Sequence, residues 1–198
     1  MTVRHGIPEA EPLPAVVRAY APVPVTGDGE GRVEPSEWSV VFDCETTEDR
    51  AHSLRFGAFQ VRRGDTLRRA GFFSGEALTP AELQVLQAAA DDNGLELLEL
   101  EEFVDEILLR YGYDLTGLCI GFNLPFDISR IARGHVTSAS GDAFSFDVSE
   151  RRSRLRIRVQ HRNSSAARIE FVSRGSRQRS DHRGYFVDVK TLAKALTG

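Results

Sequence analysis

Apolar positions along the chain change their period several times, and each change marks an element. Trp38 to Phe42 is a short apolar run closed by Thr46-Thr47, which suits a buried central strand. Leu54 to Arg62 and Thr66 to Phe73 alternate, with Gly64-Asp65 between them, and predict an antiparallel pair. Thr79-Pro80-Ala81-Glu82 starts a helix through Ala90, and Leu100 to Tyr111 predicts another. Leu118 to Ile120 reads as a strand, and Gly121-Phe122-Asn123-Leu124-Pro125-Phe126-Asp127 carries it through a turn into a helix. Asn123 suits the N-cap, Pro125 is tolerated in the first turn, and Ile128, Ile131 and Ala132 continue an apolar stripe. Further on, Leu155, Ile157 and Val159 alternate with arginines, Ile169, Phe171 and Val172 make a returning strand, and Tyr185 to Val187 leads into a last helix over Thr191 to Leu196. The order is βββ-α-β-α with an inserted hairpin and a final β-α, and no internal repeat is present.

Candidate chemistry stands where two of these strands end. In Val40-Val41-Phe42-Asp43-Cys44-Glu45-Thr46-Thr47 the carboxylates of Asp43 and Glu45 share one strand face while Cys44 turns to the other. Acids placed side by side repel unless a cation lies between them, and a divalent metal ion is the usual answer. The plainer alternative is an exposed strand end with two solvated acids. On the later helix, Asn123 and Asp127 stand at i and i+4, on one face. A capping-box acid would occupy the place of Phe126, so capping does not explain Asp127, although an acid near a helix N-terminus is favoured by the macrodipole alone.

A strand-borne Asp43-Cys44-Glu45 followed by Asn123-Leu124-Pro125-Phe126-Asp127 at a strand-to-helix turn resembles the first two signature motifs of the DEDD superfamily of 3′-to-5′ exonucleases, which includes polymerase proofreading domains. The resemblance spans approximately residues 38 to 196. It implies an α/β domain of the RNase H-like class, a mixed sheet flanked by helices, with the basic β-hairpin as an insertion. It also implies two Mg²⁺ or Mn²⁺ ions and hydrolysis of nucleotides from a 3′ end. Asp43, Glu45 and Asp127 would be the metal ligands and catalytic acids. Glu45 would bridge toward the substrate phosphate, the Thr46 region would meet the terminal 3′ hydroxyl, and Asn123 and Phe126 would position the last nucleotide. The residue types suit such chemistry, because hard carboxylate oxygens select Mg²⁺ or Mn²⁺ over zinc, and two ions about 4 Å apart can activate water and relieve charge on the leaving oxygen.

The pattern departs from the family at its fourth acid, which lies in a late helix, preceded four or five residues earlier by a His or Tyr. The late candidate is Asp188, at a strand-to-helix junction, with Tyr185 three residues upstream and Arg183 where a His five residues earlier would stand. Asp188 resembles the strand-end acid that precedes the D-T-x-x-L-A-type helix of the proofreading group, and both a ligand role and a structural role stay open for it. The chain stops at Leu196-Thr197-Gly198, one or two turns into that helix. The expectation is an exonuclease-like domain over 36–198, C-terminally incomplete, with a polymerase or larger parent chain as its context.

Composition adds limits. A length of 198 residues with 41% apolar content suits one globular domain. Residues 1–35 carry Pro8, Pro12, Pro14, Pro22, Pro24 and Pro35, which predicts a flexible or extended leader. No run approaches a membrane span and the start lacks a secretory apolar region, so the expected setting is cytoplasmic. Cys44 and Cys119 fall in predicted central strands and read as buried thiols, able to pair only if their strands set them side by side. The net charge of −4 hides a segregation: Glu76 to Glu106 holds ten acids and no Lys or Arg, whereas Arg151 to Arg183 holds eleven Arg against Glu170 and Asp181. The acidic stretch predicts a solvated helical surface facing away from any polyanion. The basic hairpin would set Arg154, Arg156 and Arg158 on one face, suited to tracking the phosphates of a single-stranded nucleic acid; the alternative is a solvated strand face. The five His residues show no metal-ligand spacing. A non-catalytic nucleic-acid-binding module and a small phosphoester hydrolase are the competing functional readings.

Overall fold

The computed structural model describes residues 35–163, 166–173 and 184–197; nearly all of the expected leader and the Arg-rich stretch 174–183 lie outside the described residues. β1 (Trp38–Thr46) opens the fold and is followed by the hairpin β2 (Leu54–Arg63) and β3 (Thr66–Ser74). Gly64 takes φ 54 in the two-residue turn between them, a left-handed conformation that glycine adopts without a Cβ penalty. α1 (Pro80–Asn93) starts at a capping box, in which Thr79 and Glu82 each accept from the other's backbone N–H, and ends at Gly94 with φ 63. β4 (Glu96–Glu99) leads into α2, which is α-helical over Leu100–Glu102 and continues with π-type spacing over Phe103–Asp114. At the end of α2 the Leu115 N–H reaches back five residues to the Arg110 carbonyl at 3.0 Å. Then come β5 (Leu118–Gly121), α3 (Leu124–Ile131), β6 (Gly134–Thr137), β7 (Ala143–Asp147), β8 (Leu155–Asn163), β9 (Ala166–Ser173), β10 (Tyr185–Asp188) and α4 (Val189–Thr197).

These elements form a mixed α/β fold. The larger sheet has six strands in the order β10-β5-β1-β2-β3-β4, in which β2 alone runs against the others. It is flanked by helices, and its core centres on Phe103 of α2. That ring stacks on Phe73 at 3.9 Å between centroids and meets Phe42 and Phe59 at 5.6 and 5.7 Å. Each such ring contributes roughly 1.5–3 kcal/mol by leaving water. Gly112 lets α2 lie close under β5, since a Cβ there would sit 2.5 Å from the Cys119 sulfur.

The predicted basic hairpin is β8–β9, but it is half of a larger insertion: a four-stranded antiparallel sheet, β6-β7-β8-β9. Leu155, Ile157, Val159, Phe146 and Phe171 bury one face of this sheet in the same core as the larger one. Phe171 makes the join, packing on Tyr113 at 5.2 Å and on Phe186 of β10 at 5.0 Å.

One expectation is corrected. The acidic stretch is not simply a solvated surface, because Glu82 pairs with Arg55 and Glu96 with Arg69, both at 2.5 Å, and Asp105 accepts from Ser149 at 2.6 Å. These half-exposed ion pairs are each worth at most about 1 kcal/mol, so they tether elements rather than hold the fold. The cysteines are buried, free thiols as expected, because Cys119 lies opposite Val40, well back along β1 from Cys44. Among the described residues no helix is long and apolar enough to cross a membrane.

Candidate active site

β1, β5 and β10 are adjacent and parallel, so their C-terminal ends meet at one edge of the sheet. That edge is where ligands of open α/β sheets are generally received. Asp43 and Glu45 stand at the end of β1, Asp188 is the last residue of β10, and α3 leaves β5 with Asp127 in its first turn. Asp43 and Glu45 are exposed on one face, while Cys44 between them is buried on the other. Asp127 is drawn inside because Leu124, Ile128 and Ile131 of its helix are wholly buried; it is itself only 2% exposed.

Burial, and then the negative charge of Asp43, push the Asp127 carboxyl up to about 7, with smaller contributions from Asp188 and Glu45 and opposition from the Cys44 backbone amide. Its Oδ2 is buried without a hydrogen-bond partner. A buried carboxylate oxygen with no donor is costly, and a cation among hard oxygen donors is the natural complement. Among the described residues, however, no three His, Cys, Asp or Glu side chains stand gathered for one ion. Asp43 and Glu45 are exposed, outside the packed core, and act on Asp127 through their charge.

No protein-family model and no curated protein matches this sequence.

Asp188 has a defined task at this site. Its Oδ1 accepts from the backbone N–H groups of Asn123 at 2.7 Å and Leu124 at 3.2 Å, and its Oδ2 accepts from the Thr191 hydroxyl at 2.5 Å. Asn123 occupies the N-cap position of α3 but does not cap it. It is left-handed, φ 72 and ψ 43, and its side chain makes no capping bond. An N-cap ordinarily has extended dihedrals, and Asn is among the few residues that tolerate the left-handed region. Asp188 therefore caps α3 from another strand, which favours the structural reading of this acid over a metal ligand.

Around the acids the remaining expected residues separate. Thr46 ends β1 where the pairing with β2 shifts register after Glu45. The following loop folds on Asp49, which accepts from Thr47 Oγ1 at 2.8 Å and from the N–H groups of Ala51 and His52. Arg130 ties that loop to α3 by donating to the Ala51 and His52 carbonyls at 3.0 and 2.8 Å. Phe126 is half-buried between His52 and the Arg130 guanidinium, so it braces this loop. Phe122, which directly follows β5 and precedes Asn123, is a large apolar side chain left 58% exposed. It escaped the sequence reading, although a large apolar residue between a strand end and a cap position was the available signal. Lys190 escaped it too; its Nζ donates to Asn123 Oδ1 at 3.2 Å.

The arginines do not form one open face. Arg156 is committed to Asp147, with Nη2 2.9 Å from Oδ2, and is mostly covered. Arg154 is exposed and lines a pocket of about 380 Å³ with Arg151, Arg152 and Tyr113, beside the C-terminal end of α2 and not beside the acids. Arg158 lies on the polar face of the insertion, between Ser145 and Glu170 in register.

Proposed function

We propose that this chain is a metal-dependent 3′-to-5′ exonuclease domain with an RNase H-like arrangement, acting on the single-stranded end of DNA or RNA in a cytoplasmic setting. The observation that carries the reading is Asp127: a buried carboxyl with an unpartnered oxygen, coupled to Asp43, Asp188 and Glu45 at the C-terminal edge of three parallel strands. Asp43, Glu45 and Asp127 are the residues that would hold Mg²⁺ or Mn²⁺. Such ions supply activation of the attacking water and relief of charge at the leaving oxygen. The protein's own part is to keep those acids at one edge, to hold Asn123 beside them and to offer the exposed Phe122 ring to a terminal base, a contact that accepts any base. The test is release of nucleotides from a 3′-labelled single strand with Mg²⁺ or Mn²⁺; a strand left intact at every divalent cation concentration sinks the proposal. A non-catalytic nucleic-acid-binding domain is the second reading, favoured by the engagement of both Asp188 oxygens in hydrogen bonds. It predicts strand binding without turnover.

The insertion gives a separate expectation. Arg154 and Arg158 are the phosphate-contacting candidates, so Arg154→Gln with Arg158→Gln should lower the slope of log affinity against log salt by about 1.4, some 0.7 for each single-strand phosphate that is no longer neutralised. Arg156→Gln should leave the slope alone, because that guanidinium is already paired with Asp147. Fluorescence anisotropy across a salt series reads both, and an unchanged slope in the double variant makes the insertion an ordinary solvated surface.

A further inference from the structure

The junction of β10 and α4 grips the start of α3 with three nearly consecutive side chains. Asp188 holds the backbone of Asn123 and Leu124, Thr191 steadies Asp188, and Lys190 reaches the Asn123 side chain at 3.2 Å. An ammonium group only donates, so the Asn123 amide must turn its oxygen toward Lys190. Its Nδ2 group is thereby directed away, and among the described residues it has no partner. The left-handed backbone of Asn123, held by Asp188, places this residue immediately before α3, whose first turn carries Asp127.

We propose that Lys190 is a positioning residue, which locks the Asn123 amide so that its Nδ2 group is presented as a fixed donor to a sugar hydroxyl or phosphate oxygen of the last nucleotide. The inference rests on the nuclease reading and deepens it. A primary amide left to itself presents its oxygen or its nitrogen, since the two ends exchange by rotation. The lysine holds the oxygen end, and so keeps a donor available where the incoming ligand is an anion. A lysine just after a strand-end acid looks like ordinary helix surface in the sequence, which is why only the fold reveals the contact.

The test uses the full chain with Lys190→Met and Lys190→Arg, read in two ways. In steady-state cleavage of a 3′-labelled single strand, Lys190→Met should raise KM about tenfold or more, the scale of one charge-assisted hydrogen bond, with a much smaller change in kcat. Lys190→Arg, which keeps the donor, should restore KM toward the wild-type value. A purely structural lysine would show neither the split nor the rescue. In NMR spectra of ¹⁵N-labelled protein, the Asn123 side-chain amide should shift when an oligonucleotide is added to the wild type and should not shift in Lys190→Met. This second reading needs no turnover. A wild type that binds the strand without any shift of the Asn123 amide overturns the inference, whatever becomes of the variants, and leaves the nuclease reading standing. Unchanged KM in Lys190→Met does the same. A wild type that neither cleaves nor binds the strand removes the nuclease reading and this inference with it.

Discussion

Asp127→Asn is expected to make the metal-free protein more stable at pH 8, an unusual direction for a change at a buried polar site. The folded-state value of the Asp127 carboxyl is about 7, against an ordinary 3.8, because burial and Asp43 disfavour its charge. Between those values the folded state keeps a proton that the unfolded chain has released. Stability therefore falls as pH rises from about 4 to about 7, and the full deficit persists above that. At 1.36 kcal/mol per unit of difference it reaches about 4 kcal/mol as an upper bound. Asn has the same shape and no charge to bury. Its melting temperature at pH 8 should exceed the wild type's by roughly 10 °C, given 2–4 °C per kcal/mol for a domain of this size, and the gap should close near pH 4. Divalent cations should reverse the order, since a cation on the ionised carboxylate releases its proton and stabilises the wild type alone, more at pH 8 than at pH 6. Scanning calorimetry at three pH values, with and without Mg²⁺, measures all of this. A variant less stable than wild type at pH 8 without metal means that the carboxylate is satisfied by the protein, and the argument for a cation at this site fails.

What could be read from the sequence was whatever has a local signature. The alternation around Asp43 and Glu45 places both acids on one face because strand period is set by the backbone alone, and Gly64-Asp65 marks its hairpin by turn chemistry. The start of α1 was legible at Thr79 and Glu82 for the same reason. What depends on distant partners was not. β4 is four residues, Glu-Leu-Leu-Glu, with no period to detect, and it is a strand only because β3 pairs with it. β6 and β7 hold their places by pairing with each other and with β8, and β7 alone adds Phe146 to the core. Asn123 reads as a cap in the sequence because capping is usually local; the cap comes instead from Asp188, 65 residues away in sequence. Arg156 looks like one of a row of free guanidinium groups because Asp147, its partner, belongs to a strand that the local pattern does not announce.

Turnover distinguishes the four acids from one another. Asp43→Asn should reduce cleavage of a 3′-labelled single strand in Mg²⁺ or Mn²⁺ by roughly a thousandfold or more, because an acid that holds an ion supplies both charge stabilisation and placement of the nucleophile. The change is made on an exposed side chain at a strand end, so folding should survive it and the loss can be assigned to chemistry. Asp188→Asn is the informative contrast. A carboxamide keeps one oxygen for the Asn123 and Leu124 N–H groups and gives up only the charge and the bond from Thr191. If Asp188 serves as the cap of α3, the variant should retain activity within about tenfold and lose about 1–3 kcal/mol of stability, the range for a weakened hydrogen bond to a charged group. If it is an ion ligand, its activity should fall as far as that of Asp43→Asn. Rates for the two variants, taken with their denaturation midpoints, decide between these roles: matched losses of rate would move Asp188 into the metal site and withdraw its assignment as a cap, whereas a wide gap, with the instability confined to Asp188→Asn, leaves Asp43, Glu45 and Asp127 to hold the ions.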